Sequence, residues 1–199
     1  MKITIVALDS HTASVARFGI DECKNALKQV EVFKGDILSI NADAYVSPAN
    51  SYGFMDGGID QRYLQFYGAE LQDRVQAMIR GHWDGFMPVG CASMIFTAPL
   101  RADLIVAPTM HVPMDVSKTV HAYLSTSAAI GCAKTHGIEH LALPVMCTGV
   151  GQMPAHRALR QIIEAIGDHS DDPDDSVDLP HQFESIQDAG AWYRRLSSI

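Results

Sequence analysis

Cysteine is scarce and scattered in this sequence. Cys23, Cys91, Cys132 and Cys147 are the four present, and no two stand as a CxxC pair. Such spacing argues against a zinc site or a disulfide framework and for a reducing compartment. Long apolar runs are missing too: nothing approaches the roughly 20 residues needed to cross a bilayer. The opening MKITIVALDS lacks the apolar core and cleavage site of a signal peptide, so a cytoplasmic protein is the expectation. Basic charge is the third shortage, with 15 Lys and Arg against 23 Asp and Glu. Asp168 to Asp178 alone holds six Asp and no Lys or Arg, and the rest of the chain is close to neutral. No basic stripe is available to track a phosphate backbone, so nucleic-acid binding by counterion release is not expected. Any bound phosphate must be held mainly by backbone amides. The nine histidines form no HExxH or similar spacing, and neither metal nor cofactor is implied.

What is present is an ordinary folded composition, 47% hydrophobic and 19% charged over 199 residues. A chain of this size buries about 70% of the surface its unfolded form exposes. No internal repeat or linker divides it. One domain over 1–199 is expected, with an acidic loop at about 168–181 and a C-terminal helix.

The apolar pattern alternates strands with helices. Ile3–Leu8, Val30–Ile37 and Asp43–Asn50 read as strands. From Asp60, helical spacing of Tyr63, Phe66, Tyr67, Leu71, Val75, Met78 and Ile79 predicts one helix to Arg80, stopped by Gly81. Cys91–Ala98 and Asp103–Pro108 follow as strands, then a helix capped by Ser117 and ended by Gly137. Ile138–Met146 is the last strand, Pro154 opens a helix, and Phe183–Leu196 is a final one. This order implies an α/β fold whose mainly parallel or mixed sheet is covered on both faces. Ligands of such sheets sit beyond the carboxyl ends of the strands. Two loops there stand out, SPANSYGFMDGGID and PVMCTGVGQMP. Each sets glycines ahead of a helix, Gly57 and Gly58 in the first, Gly149 and Gly151 in the second. Glycines there let backbone amides approach an anion, and two such cradles suit a diphosphate; a simple tight turn is the alternative for either loop alone.

Four segments taken in order carry more than any one: GDI at 35–37, SPAN at 47–50, DGGID at 56–60 and LPVMCTGVGQMP at 143–154. In these the sequence resembles the macrodomain family over about 31–166, which implies a three-layer α/β/α fold and an ADP-ribose or ADP-ribosylated ligand. The resemblance gives Asp36 the adenine amino group, with the backbone of Ile37 beside it; the alternative is that Asp36 caps a turn. It gives Asn50 the distal ribose, where a plain turn role is the alternative. Gly57, Gly58 and Ile59 correspond to the loop around ribose and phosphates, and Thr148, Gly149, Val150 and Gly151 to the second phosphate loop. Asp60 stands where hydrolytic macrodomains of the MacroD type place an aspartate that orients or activates water. The implied activity is hydrolysis of mono-ADP-ribosyl esters or O-acetyl-ADP-ribose with Asp60 and Asn50 catalytic. A non-catalytic ADP-ribose-binding module and an ADP-ribose phosphate-ester phosphatase are the alternatives. For Asp60 itself the competing role is to stabilise a helix N-terminus, worth about 0.3–1 kcal/mol. Asp56 replaces the first glycine of the family triplet, Ser47 and Pro48 replace Asn and Ala, and Gly151, Gln152 and Met153 stand where many relatives carry an aromatic. Cys147 lacks a signature pairing it with a base and reads as a small buried residue. His111, at a strand end near the presumed cleft, reads as structural.

Overall fold

The computed structural model describes residues 1–22, 27–97, 101–170 and 185–197. Six strands, β1 (Lys2–Ala7), β2 (Val30–Lys34), β3 (Ala44–Ser47), β4 (Ser93–Ile95), β5 (Asp103–Val106) and β6 (His140–Pro144), form one sheet in the order β2-β1-β6-β3-β5-β4. All neighbours are parallel except β4 with β5, so the sheet is mixed and mainly parallel. The helices are α1 (Ser10–Glu22), α2 (Gly58–Tyr67), α3 (Glu70–Trp83), α4 (His121–Thr135), α5 (Ala155–Asp168) and α6 (Ile186–Ser197).

Alternation along each strand divides the interior in two. Ile3, Ile5, Val46, Ile105, Leu141 and Leu143 point one way, into a core with Ala16 of α1, Ile130 of α4 and Leu159 and Ile162 of α5. Val6, Tyr45, Leu104, Val106 and Ala142 point the other way and meet Tyr63 of α2 and Leu71, Val75 and Ile79 of α3. This is the three-layer α/β/α arrangement. Each large aliphatic side chain so buried contributes about 1.5–3 kcal/mol. Trp192 and Leu196 dock α6 against Tyr123 of α4 and Ala165 of α5.

Several elements differ from the sequence reading, each for a local reason. The sequence reading assigns no element between Leu8 and Val30, yet α1 forms there, with Ala13, Ala16 and Ile20 at helical spacing. Asp9 caps it by accepting from Thr12 N at 2.9 Å, and its buried contacts are the small Ala13 and Ala16. At Gly19 an added Cβ would lie 2.6 Å from Cδ1 of Ile163, so glycine lets that side chain of α5 lie against α1 without shifting. The helix expected over 60–80 is two, broken at Gly68 (φ 106), and Gly81 lies inside α3, which ends at the left-handed Asp84 (φ 51). Ser117 does not cap α4, whose first turn follows Val120; its N–H donates instead to Asp115. Except for β1, the strands are shorter than the runs that announce them. Cys23, Ala98 and most of the acidic tract lie outside the described residues.

Candidate functional site

Parallel strands deliver their carboxyl ends to one edge, and the loops leaving β1, β3, β5 and β6 enclose a cleft of about 810 Å³ there. Every residue singled out from sequence lines it: Asp36, Ile37, Asn50, Gly57, Gly58, Ile59, Asp60, Thr148, Gly149, Val150 and Gly151. An open recess of about 510 Å³ at the other sheet end, lined by Lys2, Gln29, Lys134 and Glu139, contains none of them.

In the first loop Asn50 works on its own backbone. Its Oδ1 accepts from Tyr52 N (3.1 Å) and Phe54 N (3.3 Å), and Nδ2 donates to Phe54 O (2.8 Å). The turn role is therefore present in the geometry, while a second amide hydrogen remains for a ligand. The chain then reaches Gly57, the residue before α2, in an extended conformation (φ -148), and Gly58 in the left-handed region (φ 57).

Asp60 sits in the first turn of α2, only 8% exposed, and accepts a 2.6 Å hydrogen bond from the buried hydroxyl of Ser47 at the end of β3. Burial pushes its carboxyl up to about 7, the Ser47 hydroxyl pulling the other way. The sequence reading noted Ser47 only as a departure. Its contact with Asp60 joins a strand end to a helix start, which no local pattern reveals.

The second loop is held by Gln152 N to Gly149 O and Met153 N to Cys147 O, both 3.0 Å. Cys147 (φ 65) and Gln152 (φ 53) are non-glycine residues in the left-handed region, a cost that functional loops commonly carry. Thr148 donates its hydroxyl to Val145 O at 2.8 Å. An added Cβ at Gly151 would lie 2.6 Å from Cys147 O and 2.7 Å from Cγ2 of Val116, whereas at Gly57 and Gly149 it would meet nothing within 4 Å. The Cys147 thiol is buried and pushed up to about 12, which suits packing and not nucleophilic attack.

Asp36 precedes a short 3-10 turn, Ile37–Ser39, and its Oδ1 accepts from Leu38 N at 3.1 Å. The capping role is thus realised. Its Oδ2 pairs with the guanidinium of Arg62 from α2, which also lines the cleft. Arg62 is the cation among lining residues that otherwise bring Asp9, Asp36, Asp56 and Asp60. No sequence motif marks Arg62, which stands two positions beyond Asp60 on α2. Among the described residues no group of three His, Cys, Asp or Glu is placed to hold a metal ion, and no helix is long and apolar enough to cross a membrane.

The model of the Macro domain family matches residues 46–162. The chain belongs to the macrodomain family. An Aquifex aeolicus protein of unassigned function is 33% identical over 138 residues, 69% of this chain and 80% of the relative. The O-acetyl-ADP-ribose deacetylase of Escherichia fergusonii is 27% identical over 145 residues, 70% of this chain and 79% of that protein. A variant of the Oceanobacillus iheyensis macrodomain with ADPR superposes with a TM-score of 0.58 at 22% identity, covering 66% of this chain and 73% of the other. The family match begins within β3, so in this macrodomain β1, α1, β2 and Asp36 lie outside the matched span.

Proposed function

We propose that the cleft binds ADP-ribose and hydrolyses mono-ADP-ribosyl ester linkages on a carboxylate side chain, or the acetyl ester of O-acetyl-ADP-ribose. One observation carries the catalytic part: a buried carboxylate, Asp60, lines the cleft in the first turn of α2, directly after the first glycine loop, and is held by Ser47. A general base is most effective when its pKa lies near the working pH, and burial puts Asp60 at about 7. In this reading the ionised carboxylate takes a proton from water as that water attacks the anomeric carbon. For an ester on a carboxylate side chain the bond from that carbon to the ester oxygen breaks, and the acid leaves as its carboxylate. In O-acetyl-ADP-ribose, whose acetyl group is on a hydroxyl of the distal ribose, the water attacks the acyl carbon instead. The acyl–oxygen bond breaks, and acetate and ADP-ribose are released. The diphosphate lies against the amides of 57–59 and 148–151, with Asn50 at the distal ribose and Asp36 and Ile37 at the base. The O-acetyl-ADP-ribose deacetylase among the relatives and the ADPR carried by a structural neighbour support the ligand class.

A binding module is the second reading, and the position of Asp60 in the first turn of α2 favours it. The two separate on release of free ADP-ribose from a protein mono-ADP-ribosylated on glutamate and from O-acetyl-ADP-ribose. Multiple turnovers of either substrate are expected; tight binding of ADP-ribose without release would leave the module.

Asp36→Ala is expected to weaken ADP-ribose binding by about 1.5–3 kcal/mol, the scale of a hydrogen bond to a charged group. Ribose 5-phosphate, which lacks the base, should bind variant and parent alike. Calorimetry with both ligands checks this, and equal ADP-ribose affinities would remove Asp36 from the base site.

A further inference from the structure

Six large apolar side chains, Tyr52, Phe54, Phe86, Val112, Met114 and Val150, stand 37% to 54% exposed; all but Phe86 lie on loops that line the cleft, and Phe86 touches the Tyr52 ring. Phe54 and Val150 line it, and Val112 and Met114 flank the lining Pro113. The Tyr52 ring meets Phe86 edge-on at 5.6 Å, and Phe86 meets His111 at 5.2 Å. One buried residue pins these segments together. Ser51 donates its N–H to the carbonyls of Met110 (3.0 Å) and His111 (3.2 Å), and its carbonyl accepts from Met87 N (2.9 Å). The same loop turns on Asn50, so the collar adjoins the end of the cleft assigned to the distal ribose.

Tyr52, Phe86, Val112 and Met114 do not line the cleft that would enclose the nucleotide, and contiguous exposed apolar surface marks contact with something larger. Charge narrows the choice. The segments 50–60, 84–86, 110–116 and 147–153 carry the exposed carboxylates Asp56, Asp84 and Asp115 and no Lys or Arg, with Lys118 standing near Asp115. A nucleic acid would be repelled by that surface, whereas aromatic faces beside carboxylates attract cationic side chains.

Building on the ADP-ribosyl ester reading above, we propose that this collar receives the polypeptide flank of a protein-borne ADP-ribosyl group, and that the flank carries Lys or Arg beside the modified residue. The substrate class is then an ADP-ribosylated basic segment of a protein. The aromatic stack contacts the flank, and the cleft contacts the nucleotide.

The test measures the affinity of the full-length protein for four ligands. These are a glutamate-ADP-ribosylated peptide with arginine flanks, the same peptide with glutamate flanks, an ADP-ribosylated oligonucleotide, and free ADP-ribose. The parent should bind the arginine-flanked peptide about tenfold or more tighter than the glutamate-flanked one, a gap that narrows with salt as exposed charge pairs do. Tyr52→Ser, Phe86→Ser and the double variant Val112→Ser/Met114→Ser should each shrink the gap while affinity for free ADP-ribose stays within about twofold of the parent. Equal affinity of the parent for both peptides overturns the collar and leaves the cleft reading standing. Preference for the oligonucleotide overturns it as well, as does an equal loss of peptide and free ADP-ribose affinity in all three variants. Failure of the parent to bind free ADP-ribose overturns both readings.

Discussion

Asp60→Asn is expected to slow ester hydrolysis by about 10²–10⁴-fold while ADP-ribose affinity changes little, because general-base assistance acts in the transition state. The same substitution should make the free protein more stable. The carboxyl stands at about 7 in the folded protein against an ordinary 3.8. Between those pH values the folded state holds a proton that the unfolded chain has released, so parent stability falls as pH rises from about 4 to 7 and stays low above. Asn has the same size, still bonds Ser47, and carries no charge to bury. At pH 8 the variant should melt several degrees higher, since about 1 kcal/mol corresponds to roughly 2–4 °C in a chain of this length. At pH 4, where the parent carboxyl is already protonated when folded, the advantage should vanish. A carboxylate serving only the helix N-terminus behaves oppositely: its loss would cost about 0.3–1 kcal/mol and leave turnover intact. Single-turnover release and melts at both pH values check this. Hydrolysis within threefold of the parent would refute the catalytic role. Parent turnover itself should rise through pH 7 as Asp60 ionises.

The glycines of the two loops should separate into two kinds when changed to valine. At Gly57 the backbone is extended and a Cβ meets nothing within 4 Å, so Gly57→Val is expected to fold with a melting temperature close to the parent's. The space it fills is cleft space. If a phosphate or ribose lies there against backbone amides, ADP-ribose affinity should fall about 100-fold or more, equivalent to about 2.7 kcal/mol. Gly151→Val fails differently, because its Cβ would press on Cys147 O at 2.6 Å and on Val116 at 2.7 Å. Overpacking of that kind costs about 1–3 kcal/mol of stability and displaces the loop. Paired melts and calorimetry distinguish the two. Full ADP-ribose affinity in Gly57→Val would place the ligand elsewhere.

How far the sequence carries the structure follows from the range of each interaction. The glycine loops were legible because turn chemistry and helix starts are local, whereas Asp36, Asn50 and Asp60 came only from the resemblance carried by four ordered segments, and strand ends bring them all into one cleft. Ser47 and Asp60 stand 13 residues apart and Asp36 and Arg62 stand 26 apart. Those contacts depend on how α2 lies on the sheet, so no pattern foretold them. Helix α1 escaped notice because its fully buried residues are the small Ala13 and Ala16 while Val15 and Ile20 are only partly buried, which leaves a weak apolar stripe. The break at Gly68 was hidden because α2 and α3 press on the same sheet face, so their apolar spacing runs on through it.

Titration calorimetry of the parent protein with ADP-ribose, together with a thermal melt in its presence, tests the central claim most directly. One ADP-ribose per chain and a melting temperature that climbs with ligand concentration are expected, since a ligand selective for the folded state stabilises it by mass action. No heat and no thermal shift at millimolar ADP-ribose would contradict the account.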